Sequence, residues 1–274
     1  MECFNENFAE PLSPLAQNFS SSALRVYILG VFEFDVPIDD LQIVPLLREL
    51  FLPINPRFSS MMILHGTYST ALRSMIKSGD EGVEFQPFVL SHLTFAICQL
   101  KEIKNNLGDE VTINDVITGV IFYGTRLYTQ NVDYESSKAN ASACVVLNTR
   151  KVGYQLVEDM LKSDAKGAWG NHIVFMPVPI NKLEDGQNPL DYVWGAHKMI
   201  KKKRHPLALF INDQLSKMTR KFKGHEAAAK QLQETFRNSS AMISNMIGPV
   251  EQVALANHLI KGLYFNVPGV PKVN

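Results

Sequence analysis

Apolar positions follow two rhythms along this chain. In "SALRVYILGVFEFDV", which ends at Pro37, they run almost without a break and are rich in β-branched and aromatic side chains, which predicts a largely buried strand. Asp39 or Asp40 can then cap a helix over "LQIVPLLRELF", and Pro45 bends or shortens it. From Ile54 to Phe88 neither a period of two nor one of 3.6 persists, so the stretch reads as connection.

Beyond it the pattern sharpens. "HLTFAIC" predicts a strand, "QLKEIKNNLG" a short amphipathic helix closed by Gly108, and "VTINDVITGVIFYGTRLYTQ" a long helix. Thr112 and Asp115 have the spacing of a capping box, in which each side chain satisfies a backbone N–H of the first turn. "ASACVVLNTR" and "NHIVFMPVPI" predict strands, the second internal to its sheet because its apolar character is continuous. Asn188-Pro189 supplies a cap and a first-turn proline for a helix over "LDYVWGAHKMIKKKR". Helices over "LALFINDQLSKMTRKF" and "HEAAAKQLQETFRN" follow, then "SAMISNM", a turn at "IGPVEQ" and the strand "LIKGLYFNV". Loose alternation of the two element types predicts an α/β or α+β class with a mixed sheet.

Composition narrows the function classes. With 274 residues, 46% hydrophobic and 20% charged, the chain has the makings of one large or two smaller domains. The 27 basic and 27 acidic side chains cancel, which gives no global electrostatic case for nucleic acid. Cys3, Cys98 and Cys144 form no CxxC pair, favouring a reducing compartment and no zinc site. The acidic N-terminus does not read as a signal peptide. The longest apolar stretch, "VITGVIFYGTRLY", contains Arg126 and falls short of the ~20 residues needed to span a bilayer.

The features that could carry chemistry are few. His65, with Ser69 four residues on, invites a nucleophile-and-base reading, but a lone histidine in a Ser/Thr-rich connector reads first as solvated. His92, His172, His197, His205, His225 and His258 form no HxH or HExxH pattern, so no metal site is expected. The basic run "KMIKKKRH" reads as the charged last turn of a helix against its dipole, ahead of a phosphate contact. Asp115 has a structural role in its capping box. "SNMIGPVEQ" reads equally as an ordinary turn or as a loop lining a pocket.

Six segments, "PLSPLAQNF", "INPRFSS", "GVEFQPF", "INDVITGVIFYGTRLY", "WGNHIVFMPVPI" and "ISNMIGPVEQVALANHLIKGLYF", together resemble the plant wax ester synthase/diacylglycerol acyltransferase family in that family's order. The resemblance implies a chloramphenicol acetyltransferase-like, CoA-dependent acyltransferase fold of two lobes. Acyl-CoA is then the co-substrate, with no other cofactor, and a long-chain alcohol or diacylglycerol accepts the acyl group in a tunnel between the lobes. It further implies peripheral association with the cytoplasmic side of the endoplasmic reticulum membrane.

The family's general base lies in HHxxxDG, a motif not found in these residues, so no catalytic residue is assigned. In the family that motif falls between the segments matching "INPRFSS" and "GVEFQPF", which here are separated only by Met61 to Glu81. His65 is therefore expected at the seam of an internal deletion. On this expectation residues 1–62 are a remnant of the first lobe, 63–87 a connector, and 88–274 the C-terminal lobe without its last strand and helix. What carries over as site-shaping is Asn114 and Asp115, matching the family's ND pair, and Ser244, Asn245, Gly248 and Pro249, matching its loop near the tunnel. Two functions are expected: an O-acyltransferase by descent, or a truncated, non-catalytic product that binds acyl-CoA or lipid or pairs with an intact paralogue.

Overall fold

The computed structural model describes residues 14–19, 28–54, 91–132, 138–148, 160, 172–182, 186–246, 248–249 and 251–266. His65, Cys3 and the 63–87 connector lie outside the described residues. In chain order the elements are α1 (Pro14–Phe19), β1 (Leu29–Phe34), α2 (Asp40–Leu46), α3 (Ile97–Leu107), α4 (Ile113–Val132), β2 (Ala141–Asn148), β3 (Ile173–Ile180), α5 (Leu190–Lys203), α6 (Pro206–Arg237), β4 (Ala241–Ser244), β5 (Ala254–Leu255) and β6 (His258–Asn266). They fall into two compact units interleaved along the chain. One holds α1, β1, α2, β5 and β6; the other holds α3 to α6 and β2 to β4.

In the second unit the sheet order is β3-β2-β4, antiparallel between β2 and β3 and parallel between β2 and β4. This is the expected mixed sheet. Ala143, Val145 and Leu147 alternate onto one face of β2 and pack with Met176, Val178 and Ile180 of β3, Phe122 of α4, and Tyr192, Ala196 and Ile200 of α5. On the other face Phe175 meets Phe236 of α6 edge to face, with ring centroids 4.8 Å apart. Helices thus cover both faces. Cys144 is buried in the central strand, and burial pushes its thiol up to about 12.

The position of β3 corrects the sequence expectation, because among the described residues it is an edge strand and β2 is the internal one. Pro177 and Pro179, opposite Cys144 and Ser142, cannot donate to a further strand, and both are exposed. The Lys203 ammonium donates to the Pro177 carbonyl, and burial lowers its affinity for a proton.

Close packing fixes α4 against α5. A Cβ on Gly119 would lie 2.6 Å from the Val193 Cα, a backbone atom that no rotamer can move aside. Val111, Val116 and Val193 form a second cluster with Leu100 and Leu107 of α3 packed on it. Arg126 of α4 is buried, donating from Nε to the Asn181 carbonyl at 2.8 Å, from Nη1 to Ala139 at 3.0 Å and from Nη2 to Ile180 at 2.8 Å. Its guanidinium satisfies carbonyls at the entry to β2 and the exit of β3, and burial disfavours its charge.

Several helix boundaries obey local chemistry. Asp39 accepts from the Leu41 N–H at 2.9 Å and so is the cap of α2. Pro45 lies inside that helix, and after Leu46 the chain loosens into a π turn over Leu47–Phe51 and a 3-10 turn over Leu52–Ile54. Asn188 caps α5 through its side chain, accepting from Leu190 N–H at 3.0 Å ahead of Pro189. Gly224, at φ 81 and ψ 176, divides α6 into the two expected helices. Residues His92 to Ala96, expected in a strand, instead lead without regular structure into α3, where the 3.6-residue rhythm begins.

In the first unit the sheet order is β1-β6-β5, antiparallel throughout. Its surroundings correct a second expectation: β1 is not buried, for Leu29 and Phe32 are exposed and only Ile260 of this sheet is buried among the described residues. Cross-strand polar pairs decorate it, Lys261 with Asp35 at 2.8 Å and the Tyr264 hydroxyl donating to Glu33 at 3.3 Å. A hairpin absent from the sequence reading joins β5 to β6 through Ala256 (φ 50) and Asn257 (φ 63), the left-handed pair that a two-residue turn requires.

Candidate functional site

The first turn of α4 gathers the chemistry of the second unit. The capping box forms as its spacing predicts: Asp115 N–H donates to Thr112 Oγ1 at 3.2 Å and Thr112 N–H donates to Asp115 Oδ2 at 2.9 Å. Thr112 Oγ1 adds a third bond to the same carboxylate oxygen at 2.8 Å.

The box does not exhaust Asp115. Its Oδ2 also lies 3.1 Å from His197 Nδ1 of α5. A carboxylate oxygen only accepts, so Nδ1 carries the proton and Nε2 is directed away, 3.9 Å from Glu110 Oε2. The imidazole is well covered, with its side chain 12% exposed, and the Trp194 ring stands perpendicular to it with centroids 6.0 Å apart. One turn on, Lys201 reaches the same Glu110 at 2.7 Å and holds that carboxyl below its ordinary range. The basic run on α5 is thus drawn into pinning the turn at Glu110 and the middle of β3 at Pro177.

Asn114, the other member of the pair, turns elsewhere. Its Oδ1 accepts from Asn245 Nδ2 at 3.0 Å, closing a clasp between the start of α4 and the residue after β4. Among the described residues this leaves an amide donor on Asn114 and an amide acceptor on Asn245 open to a ligand. One turn along α4, the hydroxyl of Thr118 is buried without a partner among the described residues. Ser244 ends β4, pairs across to Val146 and is exposed. Gly248 and Pro249 belong to the first unit, where with Glu251, Gln252, Val253, Ile260, Lys261 and Leu263 they line an open depression of about 250 Å³.

Of the six site-shaping candidates, Asn114 and Asn245 are therefore in direct contact, Asp115 and Ser244 adjoin that contact in sequence, and Gly248 and Pro249 line a separate feature. Sequence reasoning missed His197. The signal available was the pairing of His197 and Lys201, one helical turn apart, with the acidic "GDE" turn before α4; the 82-residue separation from Asp115 hid it.

A family profile described as the WS/DGAT C-terminal domain matches residues 169–274, which include His197, Ser244, Asn245, Gly248 and Pro249. Wax ester synthase/diacylglycerol acyltransferase 9 of Arabidopsis thaliana is 30% identical over 200 residues, covering 66% of this chain and 40% of that protein. The chain belongs to the wax ester synthase/diacylglycerol acyltransferase family. Family members 10 and 8 of the same plant are 29% and 25% identical, over 70% and 73% of this chain and 40% and 43% of their own lengths. The chain thus spans about two-fifths of the length of these relatives. No solved structure matches it. Within the family frame, Asn114 and Asp115 lie outside the matched C-terminal domain, and the clasp to Asn245 ties them to it.

Proposed function

We propose that this chain is an acyl-CoA- and lipid-binding member of the family, whose residues shape one wall of an O-acyl transfer site without supplying its general base. The carrying observation is the Asn114–Asn245 hydrogen bond, which joins the two segments that the resemblance carries over as site-shaping. The proposed ligands are acyl-CoA and a long-chain alcohol or diacylglycerol, meeting between two lobes of the chloramphenicol acetyltransferase type. Attachment to the cytoplasmic face of the endoplasmic reticulum membrane and pairing with an intact paralogue belong to the same proposal. Among the described residues no helix is long and apolar enough to cross a membrane.

The base is the missing chemistry. HHxxxDG does not occur in these residues, and Asp115 Oδ2 is already occupied by two hydrogen bonds from Thr112 and one from His197. Losing a general base lowers a rate by about 10² to 10⁴. One observation favours a second reading, in which the chain is itself an acyltransferase: His197 is held by a carboxylate at Nδ1, the orientation that a general base requires at Nε2.

Supplying the purified chain with labelled palmitoyl-CoA and either hexadecanol or diacylglycerol separates the two. The first reading expects no wax ester and no triacylglycerol, with palmitoyl-CoA still bound. Product that disappears in His197→Gln would replace it with the second.

A further inference from the structure

The two halves of α6 have opposite environments. After Gly224 the helix is built into its unit, with Ala228, Ala229 and Phe236 buried. Before Gly224, Ile211, Leu215, Met218 and Phe222 are all exposed, Phe222 at 73%. Their spacings of four, three and four residues place them on one narrow stripe of the helix.

The charged residues flanking that stripe are basic. On a helix of 3.6 residues per turn, Lys221 falls along one margin of the stripe and Lys223 along the other, with Lys217 and Arg220 further round the helix. The segment from Pro206 to Lys223 therefore carries four basic side chains against one acidic. The Lys221 ammonium lies 5.9 Å from the centre of the Phe222 ring, directly beside the stripe.

We propose that the N-terminal half of α6 lies in the plane of an anionic lipid surface, with Ile211, Leu215, Met218 and Phe222 entering the acyl boundary and the flanking lysines among the headgroups. Charge complementarity selects this occupant. Lysine stems are apolar and their ends are charged, so lysines at both margins suit a headgroup layer above hydrocarbon. A second copy docking stripe to stripe would instead bring lysine margins together, and like charges at a contact disfavour it. The Gly224 break lets this half take its own direction while the packed half holds the fold. A stripe of four side chains is a small apolar anchor, so attachment needs the anionic headgroups as well and weakens with salt.

The test is flotation of the full chain with vesicles of phosphatidylcholine alone and of phosphatidylcholine mixed with phosphatidylserine, with no acyl-CoA present, so that its result is independent of the acyl-CoA reading. Wild type floats with the mixed vesicles, less with the neutral ones, and is released by added salt. The pair Leu215→Glu with Phe222→Glu, and separately the pair Lys221→Glu with Lys223→Glu, each reduce bound protein by about tenfold. Thermal melts stay unchanged because these side chains are exposed. Failure of the wild type to float, or flotation unaltered in both paired variants, overturns the proposal. So does a wild-type dimer that Phe222→Glu dissolves while vesicle binding is absent, since that assigns the stripe to a second copy.

Discussion

The β3-β2-β4 and β1-β6-β5 sheets each have three strands and a comparable supply of apolar residues, yet one is a core and the other a surface. The first is covered on both faces, by α4 and α5 through Phe122, Tyr192 and Ile200, and by the end of α6 through Phe236. The second holds a single buried side chain, Ile260, and leaves Leu29, Phe32, Leu259 and Phe265 exposed among the described residues. An apolar run therefore states what a strand can bury, whereas the elements packed over it decide what it does bury. The functional candidates divide between them: the clasp and the Asp115–His197 contact belong to the covered unit, while Gly248 and Pro249 line the depression in the other.

Cysteine reactivity probes the covered sheet with the largest contrast. The buried Cys144 thiol, moved from 9.0 to about 12, holds about a thousandfold less thiolate than an ordinary cysteine. At mild alkaline pH an alkylating reagent should label exposed Cys98 in the native chain and reach Cys144 only after unfolding, as peptide mass mapping would record. The sign in pH follows. Between the ordinary thiol range and 12 the folded state keeps a proton that the unfolded state loses, so the contribution of Cys144 to stability is complete at neutral pH and declines as pH rises through that window.

Phe122→Ala, beneath α4 and α5, should cost about 3–5 kcal/mol in urea unfolding. Asp115→Ala removes the capping carboxylate and should cost about 0.5–2 kcal/mol by the same measurement. Truncating Phe32 on the open sheet should stay within about 0.5 kcal/mol. Should Phe32→Ala cost as much as Phe122→Ala, the open sheet is covered in solution and the contrast fails.

Much of the covered unit was legible because its signals are local. Thr112 and Asp115, Asn188 before Pro189, and the glycines at 108 and 224 each fixed a helix boundary through a contact within a few residues. The rank of a strand within its sheet is not local. The continuous apolar run of β3 suggested an interior position, but Pro177 and Pro179 in that same run were the better evidence, since a missing N–H excludes a neighbour on that side. The Ala256-Asn257 turn escaped notice because alanine rarely adopts positive φ, and the sequence carried no glycine to announce it. In the site, the family resemblance pointed to Asn114, Asp115 and Asn245, but only packing could bring His197 of α5 to Asp115 across 82 residues.

The most direct test of the functional account is a titration of the purified chain with palmitoyl-CoA, beside Asn114→Ala and Asn245→Ala. The account predicts saturable binding by the wild type and affinity weakened by about a factor of ten in either variant, with unaltered melts, since each loses one of the two amides that the proposal places against the ligand. A folded wild type that does not bind, or variants that bind as tightly as it does, would contradict the placement of an acyl-CoA site at the Asn114–Asn245 clasp.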